Sequence, residues 1–205
     1  MQLVVNDLEA VAPVTLRPKR MNDDKFLALC AQYPDFRLER KANGKIVIMP
    51  PCGGETGFRN IQLSTQLNVW ALKTGHGWAL DSSTGFVLAD RSIMGPDASW
   101  VSKARLAKLT KRQQEQFLSL CPEFVVELTS PSDRLKAVQA KMLDWMNNGA
   151  LLGWLLDPGH RTAYIYRPGQ PPEKIVAPAQ LIGEGPVEGF VLDLTEIWAG
   201  FSDIS

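Results

Sequence analysis

A short segment, CPEFVVELTSPSD at residues 121–133, constrains the fold more than any other part of the sequence. Its centre, FVVEL, is apolar throughout except for Glu127, and Ser130-Pro131 follows as a cap signal. Such a run is typical of a strand that is covered on both faces of a sheet. A carboxylate in that setting costs several kcal/mol unless it is paired with a cation or bound to a metal. The segment therefore predicts a buried strand that carries a functional acid.

The size and charge of the chain set the limits of the search. At 205 residues it is long enough for one substantial core and need not be divided. Lys and Arg together number 22, as do Asp and Glu, so no global basic field attracts a polyanion and a nucleic-acid ligand requires a local patch. Three cysteines without CxxC spacing argue against a disulfide framework or a structural zinc site and favour a reducing compartment.

The N-terminal segment is predicted to be an arm rather than a targeting signal. Residues 1–20 contain Pro13 and Pro18, lack a sustained hydrophobic period, and lack the charged and apolar regions of a signal peptide. No segment reaches the ~18 apolar residues that span a bilayer. We expect a soluble, cytoplasmic protein with an N-terminal arm at residues 1–20 and a single domain at 21–205.

In the first half of the chain, local signals predict two helices and a hairpin. Asn22 precedes a short amphipathic segment as a helix N-cap, and residues 58–73 form a second amphipathic segment that ends near Gly75. Between them, FRLERKANGKIVIMPP alternates around Asn43-Gly44, which is a strong hairpin signal and puts Glu39 on a strand.

In the second half, turn residues divide the chain into further strands and helices. Residues 76–101 predict three short strands, the last of which carries Asp97, and a basic, mostly helical stretch follows. After FVVELT, the segment 130–133 predicts a capped helix that runs to Asn148-Gly149, and LLGWLLDP, RTAYIYRP and PEKIVAP read as strands. Strands mixed with helices predict an α/β or α+β fold with a mixed sheet.

Three positions form a candidate catalytic set: Asp97 in GPDASWV, Glu127 in FVVEL, and Lys141 in QAKMLDW. If the two acidic strands lie side by side, both carboxylates can converge on a hard divalent cation such as Mg²⁺. A bound cation of this kind can activate water and neutralise charge on a phosphodiester. Lys141, on the helix that follows Glu127, could orient or deprotonate that water or stabilise the transition state.

Each member of this set also has an ordinary structural interpretation. An aspartate after proline is often a turn former, and a helix lysine usually lies with its stem on apolar surface and its ammonium in water. Glu127 departs furthest from that expectation because its apolar neighbours predict burial. The functional interpretation therefore depends on the three residues together.

Six blocks in fixed order resemble the Uma2 family of restriction-endonuclease-like proteins, within the PD-(D/E)XK phosphodiesterase superfamily. The resemblance extends from about residue 22 to residue 200, and the blocks are LERKANGKIVIMPP, GPDASWV, CPEFVVELTSPSD, QAKMLDWMNNGALLGWLLDP, YIYRPG and GFVLDLTEIW. It implies a restriction-endonuclease-like core, in which helices flank a central mixed β-sheet. A single P-D or E-x-K match occurs often by chance, whereas six ordered blocks are specific.

The resemblance also implies roles for individual residues. Asp97 and Glu127 would be metal ligands, the backbone carbonyl of Leu128 a further ligand, and Glu39 a ligand through water or a support for the others. Thr129 occupies the lysine position of E-x-K, so this chain departs from the simple pattern there. Lys141, in the following helix, would supply the ammonium instead.

Other candidates have weaker support. Glu55 in CGGETG could reach the site but also suits a helix N-terminus, and Asp157 in LLDPGH reads as a turn or cap residue. With only His76 and His160, a histidine metal cluster is not expected, and no G-x-x-x-x-G-K loop suggests nucleoside triphosphate use. The densest basic stretch is the candidate nucleic-acid surface, although a solvated helix face is the slightly better explanation for any single residue; it comprises Lys103, Arg105, Lys108, Lys111 and Arg112.

The leading hypothesis is a Mg²⁺-dependent DNA endonuclease, with Mn²⁺ as a possible substitute and Glu39, Asp97, Glu127 and Lys141 as its catalytic residues. Two alternatives stay open at this point: an inactive nuclease fold that serves as a binding or assembly module, and a phosphodiesterase for RNA or another substrate. Related nucleases often cut both strands as dimers, so by analogy we expect a homodimer.

Overall fold

The computed structural model describes residues 14–18 and 21–201, and its centre is a six-stranded mixed sheet. The strand order is β11-β10-β9-β8-β7-β4, and every neighbouring pair is antiparallel except β8 and β9. Its strands are β4 (Gly77–Asp81), β7 (Ala98–Ser102), β8 (Phe124–Leu128), β9 (Leu152–Asp157), β10 (Thr162–Tyr166) and β11 (Glu173–Val176). The FVVEL segment is β8, an interior strand of this sheet, as its apolar run predicted.

A second, antiparallel sheet contains the predicted hairpin. Its strand order is β1-β3-β2-β6-β5, and the turn between β2 and β3 has Gly44 in the left-handed region at φ 79°. Its strands are β1 (Val14–Leu16), β2 (Arg37–Arg40), β3 (Ile46–Met49), β5 (Phe86–Val87) and β6 (Ile93–Met94). A further hairpin consists of β12 (Gln180–Ile182) and β13 (Val191–Asp193).

Six α-helices accompany the sheets in the described part of the chain. They are α1 (Asp23–Gln32), α2 (Gly54–Thr74), α3 (Lys103–Leu106), α4 (Lys111–Gln114), α5 (Leu135–Asn147) and α6 (Thr195–Ala199). The side chain of Asn22 caps α1, and Gly75 ends α2 in the left-handed region, as both residues predicted. No helix within 14–18 and 21–201 combines the length and apolar character needed to cross a bilayer.

The two faces of the central sheet pack against different helices. Alternate residues of β8 point to opposite faces, so Phe124, Val126 and Leu128 join α2 in one core. Val125 points the other way, into a core with Met142 and Trp145 of α5. Glu127 shares the face of Val125 by the same alternation. The mixed sheet flanked by helices confirms the fold class expected from the sequence.

The predicted arm is described only in part. Residues 14–16 form the edge strand β1, which pairs with β3. Residues 1–13 and 19–20, which the arm prediction also included, lie outside the described residues.

Three local predictions need correction. Residues 76–102 contain four strands instead of three, and Asp97 lies immediately before β7. The basic stretch forms only two four-residue helices, so "mostly helical" was wrong. The helix after β8 begins at Leu135, because Ser130 and Asp133 first close a separate turn, in which the Ser130 N–H donates to the Asp133 carboxylate at 2.8 Å.

The chain passes from one sheet to the other at Gly95-Pro96-Asp97. β6 ends at Met94 and β7 begins at Ala98, so this tripeptide joins the sheet that carries the hairpin to the central sheet. Because β6 also pairs with β2 at Arg40, the hairpin lies beside the start of β7.

The packing of α5 gives a direct stability test. Met142 is fully buried on this helix, whereas the adjacent Leu143 is half exposed. We expect Met142→Ala to lower the free energy of unfolding by about 2–5 kcal/mol, since it leaves a cavity, and Leu143→Ala to change it by about 0.5 kcal/mol or less. Urea unfolding of both variants measures the difference. Equal losses would contradict the orientation of α5 described above.

Candidate active site

A buried ammonium group lies at the centre of the site. Lys141 Nζ lies 2.8 Å from the Glu39 carboxylate, 2.9 Å from the Glu127 carboxylate and 2.7 Å from the Gly95 carbonyl oxygen. An ammonium has three N–H donors, so these three acceptors use all of them. Lys141 thus joins β2, β8 and the sheet junction in one cluster.

Asp97 enters this cluster through strand pairing. Ala98 pairs with Val126 across β7 and β8, and the backbone N–H of Asp97, one residue before β7, donates to the Val126 carbonyl oxygen at 3.0 Å. One oxygen of the Asp97 carboxylate accepts a hydrogen bond from the Leu128 N–H at 2.8 Å. Asp97, at the entry to β7, therefore lies beside the end of β8, which carries Glu127.

A second cation, Arg37 of β2, binds the cluster from the side of the hairpin. Its Nη1 lies 3.2 Å from the Asp97 carboxylate, and its Nη2 lies 3.5 Å from the Glu39 carboxylate. Nη2 also donates to the Gly95 carbonyl oxygen, which accepts from Lys141 as well. The Gly95 N–H in turn donates to Glu39 at 3.2 Å, so one peptide segment contacts both cations and one acid.

An indole binds the Glu127 carboxylate oxygen that lies closest to Lys141. Trp145 Nε1 donates to the Glu127 carboxylate at 2.8 Å, from the turn of α5 that follows Lys141. The Trp145 ring is fully buried and packs edge-on against Phe86 at a centroid distance of 6.0 Å. Because that ring is held by core packing, the orientation of the Glu127 carboxylate is set by the fold.

Burial and neighbouring charges shift the acids in opposite directions. Burial raises the pKa of Glu127 to about 7; the Lys141 ammonium opposes this rise, and the charges of Asp97 and Glu39 add to it. Burial alone would also raise the pKa of Glu39, but Lys141 and Arg37 outweigh it and hold that pKa below its ordinary value. Of the two acids, Glu39 is therefore the one whose ionised form is favoured.

The ammonium is held in its charged form. Burial on its own lowers the pKa of Lys141, but the carboxylates of Glu127 and Glu39 outweigh burial and raise that pKa above its ordinary value. A lysine in this state is a poor proton acceptor near neutral pH. Of the roles that the sequence left open, the geometry favours charge stabilisation and positioning over deprotonation of water.

The oxygen donors of the cluster suit a hard divalent cation. Asp97 and Glu127 supply carboxylates, and Mg²⁺ is commonly held by one or two carboxylates while it keeps several waters. Within 14–18 and 21–201, no three His, Cys, Asp or Glu side chains are grouped as a complete metal site, so a backbone carbonyl and water would have to complete the ligand set. The cluster contains three acids and two cations, and an added positive charge would favour ionised Glu127.

The comparisons with known proteins identify the family. The profile of the Uma2 family, described as putative restriction endonuclease, matches residues 23–195. The chain belongs to the Uma2 family. This membership confirms the resemblance seen in the sequence and supports a nuclease.

A solved structure shares the fold of this Uma2 protein. It is the crystal structure of a putative nuclease belonging to DUF820 from Anabaena variabilis ATCC 29413, with a TM-score of 0.72 and 22% sequence identity. The match covers 86% of this chain and 96% of that chain. No curated protein matches the sequence.

Thr129, which occupies the lysine position of E-x-K, has a different role in this Uma2 protein. Its hydroxyl donates to the Asp157 carboxylate at 3.2 Å, and Asp157 also binds His160 Nδ1 at 2.8 Å. Thr129 and Asp157 are both buried, so Asp157 is a paired interior acid as well as the residue that ends β9. The threonine therefore stabilises the ends of β8 and β9.

The predicted basic surface begins at the far end of β7 from Asp97. Six residue steps along β7 separate Asp97 from Lys103, or about 20 Å, because strands rise about 3.3 Å per residue. None of the five residues forms a hydrogen bond or ion pair with the acid cluster; Arg105 instead binds Glu123 at 3.4 Å, and Lys103 Nζ lies 5.2 Å from the centre of the Trp78 ring. The side chains of Lys108, Lys111 and Arg112 are all exposed.

Three members of the acid cluster were not predicted from the sequence: Arg37, Gly95 and Trp145. Arg37 is two residues before Glu39 on a strand, which places both on one face, and this alternation was the available signal. Trp145 is four residues after Lys141 on a helix, so it lies on the same face. Gly95 acts through its backbone, for which a side-chain pattern gives no signal.

Glu55, a weaker candidate from the sequence, does not join the cluster. Its carboxylate instead forms an ion pair with Arg59 at 3.0 Å.

The pKa of Glu127 predicts how stability depends on pH. Because its folded-state pKa of about 7 exceeds the ordinary carboxyl value, the favourable contribution of its proton is complete below about pH 4.5 and is lost as the pH rises through 7. Glu127→Gln keeps the shape and does not ionise. We expect its unfolding free energy, relative to the parent, to rise by on the order of 3 kcal/mol between pH 5 and pH 8.

Urea unfolding at four pH values measures this difference, without added metal. Glu188→Gln, at an exposed position, is the matched control and should follow the parent at every pH. A Glu127→Gln difference that stays constant with pH would contradict the assignment.

Gly95 gives a second test of the site. A Cβ at this position would lie 2.8 Å from the Thr84 carbonyl oxygen and 3.3 Å from Arg37 Nη2, so the backbone would have to shift. We expect Gly95→Ala to lower the free energy of unfolding by about 1–3 kcal/mol. Gly57 lies in α2, and a Cβ there would meet only Cys52 Sγ, at an ordinary contact distance of 3.9 Å, so Gly57→Ala should be neutral or stabilising. Thermal unfolding compares the two, and equal effects would contradict the crowding at Gly95.

Proposed function

We propose that this protein is a divalent-metal-dependent DNA endonuclease with a site of the PD-(D/E)XK type. The observation that carries the proposal is the position of Asp97 beside Glu127, where β7 begins next to β8, with Lys141 bound to Glu127. Membership of the Uma2 family supports a nuclease, and the buried acids supply the chemistry that such a reaction requires.

Each residue has a distinct role in this proposal. Asp97, Glu127 and the Leu128 carbonyl would hold the cation, and Glu39 would contact it through water while binding Lys141. A bound Mg²⁺, or Mn²⁺ in its place, would activate water and offset negative charge on the phosphate. Lys141, fixed between two acids, keeps them oriented and offsets their mutual repulsion.

The reaction is a hydrolysis. The oxygen of a water molecule bonds to phosphorus and the water loses a proton, while one P–O ester bond breaks and its oxygen takes up a proton. Lys141 is not the acceptor of the first proton, because its pKa is raised and its three donors are engaged. The exposed basic residues after β7 would contact the DNA backbone away from the reacting phosphate.

The activity test uses supercoiled and linear DNA with Mg²⁺ or Mn²⁺. Asp97→Asn and Glu127→Gln should each reduce cleavage to background, since each removes an anionic oxygen donor. Lys141→Met should reduce it by roughly 100-fold or more, because the ammonium orients both acids and stabilises charge. Glu188→Gln, prepared in parallel, should cleave at the parent rate.

Cleavage that persists in the Asp97 and Glu127 variants would contradict the proposed site. If the parent binds DNA but does not cleave it under any metal condition, the protein is a binding module with a nuclease fold. RNA of the same sequence, run in parallel, separates a DNA enzyme from one that accepts both phosphodiesters.

A further inference from the structure

Arg37 differs from the rest of the cluster in its access to solvent. Its side chain is 28% exposed, compared with 14% for Asp97, 11% for Lys141 and 3% for Glu39. The cluster therefore opens to water on the side of Arg37 and Asp97, and a substrate phosphate would have to approach from that side.

We propose that Arg37 occupies the Asp97 carboxylate in place of a divalent cation, and that cation binding releases its guanidinium to bind the phosphate of the substrate. This inference rests on the nuclease function proposed above and assigns it a further residue. Arg37 would thus restrain the site in the absence of metal and contribute to substrate binding in its presence.

The first support comes from the partners of Asp97. One carboxylate oxygen accepts from the Leu128 N–H, and the other lies 3.2 Å from the Arg37 guanidinium. A divalent cation bound to Asp97 would lie close to that guanidinium, and the two positive charges would repel each other. The cation and Arg37 therefore compete for the same oxygen.

The second support comes from the hydrogen-bond donors of the two basic residues. Lys141 uses all three N–H groups within the cluster, so it cannot bind phosphate without losing a contact. The guanidinium has five N–H groups in a planar fork that suits phosphate oxygens, and its contacts with described residues involve only the terminal nitrogens. Arg37 is thus the better suited of the two for a phosphate.

Calorimetric titration with Mg²⁺ alone tests the competition. Arg37→Met removes the charge and keeps an apolar stem, so we expect Mg²⁺ to bind about tenfold more tightly than to the parent, a coupling of the usual size between interacting sites. Arg167→Met is the matched control, since Arg167 also pairs with two acids, Glu173 and Glu184, in another part of the fold. It should leave the Mg²⁺ affinity unchanged.

Binding of a labelled DNA duplex in Ca²⁺ tests the second half of the proposal. Arg37→Met should bind the duplex more weakly, and the slope of log affinity against log salt should fall by about one, as expected for the loss of one phosphate contact. Fluorescence anisotropy over a series of salt concentrations gives both quantities.

The outcomes separate this inference from the proposed function. If the parent binds Mg²⁺ and Arg37→Met binds it equally or more weakly, Arg37 merely supports Asp97 and the inference is wrong, while the nuclease proposal stands. If neither protein binds Mg²⁺ or, in the same titration, Mn²⁺, both proposals are wrong. Circular dichroism checks folding, and Arg37→Gln replaces the methionine variant if that variant does not fold.

Discussion

The site depends on one buried ammonium between two carboxylates. Lys141 binds Glu39 from the hairpin sheet and Glu127 from the central sheet, and a peptide carbonyl of the junction completes its contacts. A lone charge at this depth would cost several kcal/mol, so each partner compensates for the burial of the others. The same contacts fix the position of the hairpin sheet relative to the central sheet.

The charged side chains of the cluster differ in how far they are exposed to solvent. Glu39 and Glu127 are almost fully covered, Lys141 lies between them, and Asp97 and Arg37 reach the surface. Burial raises the pKa of Glu127, and the negative charges of Asp97 and Glu39 add to that rise, although Lys141 and Arg37 oppose it. A metal-dependent nuclease could make use of this imbalance, because an incoming cation would meet an acid that gains stability by ionising.

The sequence predicted what local chemistry controls. The Asn22 cap, the Asn43-Gly44 turn, the Gly75 stop and the apolar run around Glu127 each depend on neighbouring residues, and the structure contains all four. It also brings Glu39, Asp97, Glu127 and Lys141 together, although the family resemblance, and not local pattern, had suggested Glu39.

Features that depend on the meeting of the two sheets were not predictable in the same way. The sequence around Arg37 does not show that Asp97 will be its partner, because the two residues meet only where the sheets join. Gly95 contributes only backbone atoms. The helix start at Leu135 was misplaced because Ser130 and Asp133 satisfy each other in a turn of their own. The homodimer predicted from analogy stays a prediction.

The site needs residues from both sides of the short junction at 95–97, so neither half of the chain contains it alone. Glu39 and Arg37 come before it, whereas Glu127 and Lys141 follow it. A chimera that took only the first ninety-odd residues from a relative would keep the parallel crossover β8-α5-β9. The side chains that contact Lys141 and Asp97 from the hairpin sheet would, however, come from the other protein. Grafting this chemistry onto another scaffold would therefore require both sheets and the peptide that joins them.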